Sequence, residues 1–303
     1  MKRNYLVVLC GMVSLVFLSG LNVIAAPPTE GLKLWLKADD GAMKPEPNAP
    51  GGYIPAEVGD TVTMWLDKSG SGHDTNYVWG APTLMAVGSQ KAIRFDGNDG
   101  YRLADYAGLR LPTISVYVVA DMDDNVVDHQ VIVGDYSDVS GYALGLSPEG
   151  GKPGRVKWFT ASNWLGDSME SGTLPTDTNR YTIINGTFDP AATTYKKALY
   201  FDGQHKLKGT GTGLTYYTTS IASIGVLDVG RQWTRGNISE ILIYDSVSAD
   251  QYYAVHSYLS QKYGIPVTND YQGDDPTVVF LKYLFMQSSD DQGVPVEGQT
   301  WNT

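Results

Sequence analysis

Paired carboxylates would mark this chain as a glycoside hydrolase. Such an enzyme needs one acid to protonate the leaving oxygen and a second to attack, or to activate a water, across the same bond. Two acids spaced two apart on a strand point to one face, because successive side chains alternate. Beyond residue 26 the glutamates are Glu30, Glu46, Glu57, Glu149, Glu170, Glu240 and Glu297, and none has Asp two residues later. A Glu-x-Asp dyad carried on one strand is therefore absent. There is also no His-Glu-x-x-His, no Gly-x-Ser-x-Gly and no Walker loop. His73, His129, His205 and His256 are scattered, and most of them read as surface loop or hairpin residues.

Sugar binding is a different chemistry. It stacks pyranose faces on exposed rings and holds hydroxyls with Asp, Asn and Gln. Among the seven tryptophans, Trp35, Trp65 and Trp158 lie in strand-like patterns and read as core. Trp79, Trp164 and Trp233 sit in polar, Gly-containing stretches (TNYVWGAP, ASNWLGD, GRQWTRG) and are the candidate ligand rings, with Tyr216 and Tyr217 as a further loop pair. The competing role for each ring is to plug the open end of a sandwich.

The elements that would position these rings are nearly all strands. Leu32–Leu36, Val62–Leu66, Ala92–Phe95, Ile114–Ala120, Val131–Val133, Tyr142–Leu146, Val156–Phe159, Tyr181–Asn185, Lys197–Phe201 and Ile221–Val226 are short apolar or alternating runs bounded by Gly, Pro or Asp. Residues 41–60 are rich in Pro, Gly, Asn and Glu and read as a long exposed loop. Asp202-Gly203 marks a hairpin turn that needs positive φ. The stretch 238–244 is a strand apolar on both faces, and one helix follows it. Ser248 is its N-cap, answered by Gln251, Tyr252, Val255 and Leu259 follow at helical spacing, and Gly264 and Pro266 stop it. The expected fold is an all-β, two-sheet antiparallel jelly-roll sandwich with one short helix near its C-terminal side.

The series Gly31-Leu-Lys-Leu-Trp-Leu-Lys-Ala-Asp39, Trp65-Leu-Asp-Lys-Ser-Gly-Ser-Gly-His73, Ile93-Arg-Phe-Asp-Gly97 and Ala198-Leu-Tyr-Phe-Asp-Gly203, closed by 236–265, resembles the laminin-G-like, concanavalin A-like jelly-roll domains of bacterial surface proteins. The resemblance covers residues 30–266. It implies that fold, but the fold serves lectins, glycosidases and adhesion modules alike. The laminarinase-like enzymes of this fold carry Glu-x-Asp-x-x-Glu, which this chain lacks. The resemblance also implies a calcium ion at the rim. Asp96, Asn98 and Asp99 in one turn, with Asp67 or Asp74 from a neighbouring loop, could supply hard oxygens. The alternative is that these residues are turn formers that bond their own backbone. Asp121, Asp123, Asp124 and Asp128 read as a solvated acidic loop.

Lys2 and Arg3, the apolar run 5–24 and Ala25-Ala26 fit a cleaved signal peptide over residues 1–26. The alternative is a retained anchor. The expected organisation is then a jelly-roll domain over 27–266 and a tail over 267–303. The lone Cys10 lies in the leader, so the mature chain has no disulfide and must rely on a buried core. Removing Lys2 and Arg3 from the 22 basic residues leaves 20 against 33 acidic. That balance excludes a nucleic-acid partner and gives the mature chain no attraction for anionic membranes. In the tail, Val278–Met286 is apolar enough to expect burial against the sandwich, and too short to insert in a bilayer. The expected protein is secreted or at the cell surface. It is a non-catalytic module that binds a glycan or another extracellular protein. The rivals are a carbohydrate-active hydrolase with an unrecognised site and a structural subunit of a surface layer or fibre.

Overall fold

The computed structural model describes residues 26–123, 128–137, 140–148, 155–161, 168–173, 180–211, 213–227 and 230–271. Residues 1–25, which hold nearly all of the expected leader, Trp164, Asp124 and the tail run Val278–Met286 lie outside them. The first strands are β1 (Leu32–Lys37), β2 (Ala42–Pro45), β3 (Tyr53–Pro55), β4 (Met64–Trp65), β5 (Thr75–Trp79) and β6 (Thr83–Val87). Then come β7 (Gln90–Asp96), β8 (Gly100–Leu103), β9 (Ile114–Met122), β10 (Gln130–Ser137), β11 (Ser140–Ser147) and β12 (Arg155–Ala161). The last are β13 (Ser168–Thr173), β14 (Thr182–Phe188), β15 (Lys197–Phe201), β16 (Gln204–Gly209), β17 (Ala222–Ile224) and β18 (Arg235–Tyr244), followed by helix α1 (Ala249–Tyr263).

Two antiparallel sheets form the expected sandwich. An eight-stranded sheet runs β16-β15-β14-β9-β18-β7-β6, with β1 paired to the second half of β18. A seven-stranded sheet runs β13-β12-β11-β10-β17-β8-β5. Their inner faces meet in one apolar core that includes Leu34, Leu36, Phe95, Val116, Val118, Ile241 and Ile243 from the first sheet. Tyr101, Tyr142, Leu144 and Trp158 come from the second. Gly186 of β14 has a reason to be glycine: a side chain there would strike the indole of Trp158, which lies flat against the strand. The same indole donates to the Thr187 carbonyl at 2.9 Å and so ties the sheets together.

β9 and β18 read as continuous apolar runs because both their faces are covered. Val116 and Val118 face the sandwich core, while Tyr117, Val119, Leu242 and Tyr244 pack under α1 with Val255, Tyr258 and Leu259. Burying each such aliphatic side chain contributes roughly 1.5–3 kcal/mol before ordering entropy. The helix starts as read: Ser248 Oγ accepts the Gln251 N–H at 3.2 Å, and Gly264 ends the helix in the left-handed region. The Gln251 side chain does not return to the cap. It donates to Ser246 Oγ at 3.0 Å, so only half of the capping box forms. Among the described residues no helix is long and apolar enough to cross a membrane.

Two local expectations are corrected. Residues 41–60 are not one open loop: β2 pairs with β3 and β4 in a three-stranded sheet. The histidines are not mainly surface residues, since His73 and His256 are buried. Asp202 and Gly203 take positive φ of 48° and 68° in the β15–β16 turn, as expected. Beyond Pro266, the Thr268 and Asp270 N–H groups donate to the carbonyls of Asp202 and Gly203, so residues 267–271 continue onto the sandwich.

Candidate ligand-binding site

β5 carries Tyr77 and Trp79 on the outer face of the seven-stranded sheet, while Val78 between them packs against the core. Trp79 is therefore the end of a strand and not a loop residue. Its ring lies 4.7 Å from Tyr77 and 6.4 Å from Trp233, both edge to face. Trp233 reaches it from the connection between β17 and β18, so the fold unites two tryptophans that are remote in sequence. Tyr77 is 48% exposed, and both tryptophans are half-buried. On the next strand Arg102 is paired with Tyr77 in register and places its guanidinium 5.5 Å from the Tyr77 ring. Its Nε donates to Asn76 Oδ1 at 3.2 Å. The result is three convergent rings rimmed by an amide and a guanidinium. Tyr77 and Arg102 were not among the sequence candidates. The Tyr-x-Trp alternation of a strand was the signal that could have found Tyr77.

The same register row continues from Arg102 to Ser223, Gly134, Ala143 and Phe159. Exposure falls along it, and everything beyond Arg102 is buried. Val131, Tyr136, Ala143, Phe159 and Leu227 form a small satellite core there. The hollow beside it has room for about 30 Å³, the scale of one water molecule. The accessible part of this face is thus the β5–β8 edge.

The other candidate rings do not join the patch. Tyr216 packs against Tyr142 at 6.3 Å and donates to the Leu111 carbonyl at 2.8 Å, so it plugs the core. Burial pushes its hydroxyl pKa well up. Tyr217 beside it is 53% exposed. Trp35 was expected in the core, but it lies half-buried under α1 and donates to Glu240 at 2.6 Å.

The acids proposed for calcium act as turn formers, and the donor set does not fit the ion. Asp67 Oδ1 accepts the N–H groups of Trp35 and Ser69, and its Oδ2 accepts Ser69 Oγ–H and the His73 N–H. Asp99 is buried and accepts the N–H groups of Ala81 and Asp96, one on each oxygen. Burial pushes its carboxyl pKa up, against the pull of those two N–H groups. Asp96 accepts the Asn98 N–H. Asp67 and Asp99 thus have both oxygens committed to backbone, and among the described residues no three His, Cys, Asp or Glu groups gather as a metal set. Asp123 is not a solvated loop acid either. It holds Arg94 through two contacts of 2.6 Å.

The buried acids are locked elsewhere. Asp135 accepts from Ser220 Oγ and from Arg110 Nε, and burial raises its pKa. Glu240 accepts from Trp35, Tyr258, Lys262 and Tyr263 between 2.6 and 2.8 Å. Three of these donors lie on α1 and hold it to the sheet, and the fourth, Trp35, lies on β1.

The two antiparallel sheets packed face to face define the concanavalin A-like fold class. The chain belongs to the concanavalin A-like lectin/glucanases superfamily, whose laminin-G-type family model matches residues 95–251. No curated protein matches the chain at a significant level. Among solved structures, the receptor-binding domain of botulinum neurotoxin mosaic serotype C/D is similar in fold. Its TM-score is 0.51 at 16% identity, over 76% of this chain and 51% of that one. The binding domain of botulinum neurotoxin DC, solved in complex with SialylT, gives 0.50 at 11% identity over 78% and 52%. This chain therefore spans about half the length of those toxin structures. Domain 4 of AbnA, an extracellular arabinanase from Geobacillus stearothermophilus, was solved with arabinotriose. It gives 0.48 at 17% identity over 66% of this chain and all of that domain.

Proposed function

We propose that the protein is an exported, non-catalytic carbohydrate-binding module. The ligand lies on Tyr77, Trp79 and Trp233, with Arg102 and Asn76 bonding its hydroxyls. The carrying observation is the convergence of Trp79 and Trp233, at 6.4 Å, beside an exposed tyrosine on an outer sheet face. Neither indole N–H has a protein partner among the described residues, and buried tryptophans usually find one. Membership of a superfamily that includes lectins supports the same reading. The non-catalytic part rests on the missing Glu-x-Asp spacing and on the full occupation of Asp135 and Glu240. The export part rests on the leader-like N-terminal segment. No calcium is needed.

The test is a glycan panel against the purified chain, with Trp79→Ala and Trp233→Ala as comparators. Binding of a neutral oligosaccharide should be lost in both variants while their melting curves stay close to wild type. No reducing ends should appear from common β-glucans. Binding that ignores both substitutions sinks the ring-patch reading. Hydrolysis abolished by a single Asp or Glu substitution sinks the non-catalytic one.

A further inference from the structure

Five of the described lysines of this acidic chain are paired with carboxylates. Lys33 meets Asp245, Lys37 and Lys68 meet Asp40, Lys44 meets Asp60, and Lys262 meets Asp39 and Glu240. That is the expected fate of a lysine where acids outnumber bases 33 to 22. Among the described residues Lys91, Lys196, Lys206 and Lys208 make no ion pair, and two of these four share one hollow at the edge of the eight-stranded sheet. Lys196, just before β15, and Lys208 of β16 both line this cavity of about 220 Å³. Lys208 Nζ sits 4.2 Å from the ring centroid of Tyr195, which is 41% exposed. Tyr200 and Tyr271 add two more rings to the walls.

The charge balance of the lining is positive. Lys197 also borders the cavity, although it is buried with its stem beside Gly211. Asp189 is the one acid in the lining among the described residues, and its Oδ1 accepts the Ala191 N–H, so it closes its own turn. A positive hollow on a negative molecule concentrates anions. Its volume lies below the roughly 300–1,000 Å³ of drug-sized ligand sites, which limits the occupant to about one ring. Tyrosine faces suit a sugar ring, and ammonium groups suit a carboxylate or a sulfate.

We propose that this cavity is a second ligand site, which takes a sugar ring bearing one carboxylate or one sulfate. It lies on the other sheet from the Tyr77–Trp79–Trp233 patch and does not depend on that patch. The test uses the full chain with Trp79→Ala and Trp233→Ala installed, which silences the ring patch. Trigalacturonate, galactotriose and sodium sulfate are titrated separately by calorimetry. Trigalacturonate should bind and weaken as salt rises. Adding Lys196→Gln and Lys208→Gln should weaken it by about tenfold or more, while Lys208→Arg should retain it. Both lysines lie toward the surface, so the variants should melt like the parent, and Tyr195→Leu supplies an independent loss of binding. The proposal fails if trigalacturonate does not bind, or if the lysine changes leave its affinity intact. It fails as a saccharide site if sulfate alone binds as tightly, and as an acidic site if galactotriose does.

Discussion

The two outer faces of the sandwich both carry aromatic residues, but they use them differently. On the eight-stranded sheet, Trp35, Tyr258 and Tyr263 all donate to Glu240, Tyr244 donates to the Pro28 carbonyl, and Tyr252 donates to the Gly203 carbonyl. Helix α1 covers that face, and the polar atom of each of these five rings is spent inside the protein. On the seven-stranded sheet, Trp79 and Trp233 converge without such partners among the described residues, and no described helix covers them. The same residue types are structural cement on one face and an open platform on the other. Internal acceptors for these five rings mark the first case, with Tyr181 Oη an unpartnered exception among the described residues, and open indole N–H groups mark the second.

The largest test of this contrast is removal of the anchor on the covered face. Glu240→Ala leaves two tyrosine hydroxyls, one indole N–H and Lys262 without their shared acceptor. Breaking a buried pair of this kind costs about 3–5 kcal/mol. Denaturant unfolding should show that loss, and Glu240→Gln a smaller one. A change below about 1 kcal/mol would mean that α1 is held by apolar packing alone.

The second test concerns His256, also under α1. It is fully buried between Tyr117 and Tyr252, and its Nδ1 is bonded to the Tyr252 carbonyl at 2.9 Å. Burial pulls its pKa down to about 4, and the carbonyl only partly opposes the shift. The unfolded chain takes its proton near pH 6.5, while the fold refuses it. Its contribution is therefore complete above pH 6.5 and is lost as pH falls towards 4. The loss amounts to about 3 kcal/mol. Asp135 and Asp202, whose pKa values burial raises, act in the opposite direction. The clean measurement is wild type minus His256→Phe across that range. A difference independent of pH would show that His256 titrates normally.

These regions were not equally legible in the sequence. The strand 238–244 and the helix after it were, because caps and periodicity are local signals. Trp79 and Trp233 were legible as candidates, but not as neighbours, because no local feature reports a pairing between β5 and the β17–β18 connection. Residues 41–60 read as a loop because Pro, Gly and Asn mark turns, whereas β2, β3 and β4 are made by pairings among distant positions. The Glu240 anchor was hidden for the same reason. Its partners lie on β1 and α1, and a single Glu in an apolar strand does not name them. His256 looked like a surface residue because composition shows no burial, and burial depends on which face of α1 the sheet covers.

On the open face, Trp79→Ala and Trp233→Ala should each cost on the order of 2 kcal/mol of glycan binding, about thirtyfold in Kd. Their effect on folding should be small beside that of Glu240→Ala, since both rings are half-buried and unbonded. If instead they unfold the protein, the rings are plugs like Tyr216, and the contrast between the two faces collapses.

The smallest expected effect is that of calcium, and it sharpens the same distinction between committed and open polar groups. An ion bound only to the folded state, at 100 times its Kd, would add about 2.7 kcal/mol of stability. Asp67 has four donors on its two oxygens, and Asp99 spends one oxygen on each of two N–H groups. A calcium ion would have to displace those N–H groups and leave them unpaired at a cost of about 1–3 kcal/mol each. That offsets the gain, so the melting temperature should be the same in excess calcium and excess chelator. A rise with calcium that Asp67→Asn or Asp99→Asn removes would show that these turns reopen to take the ion.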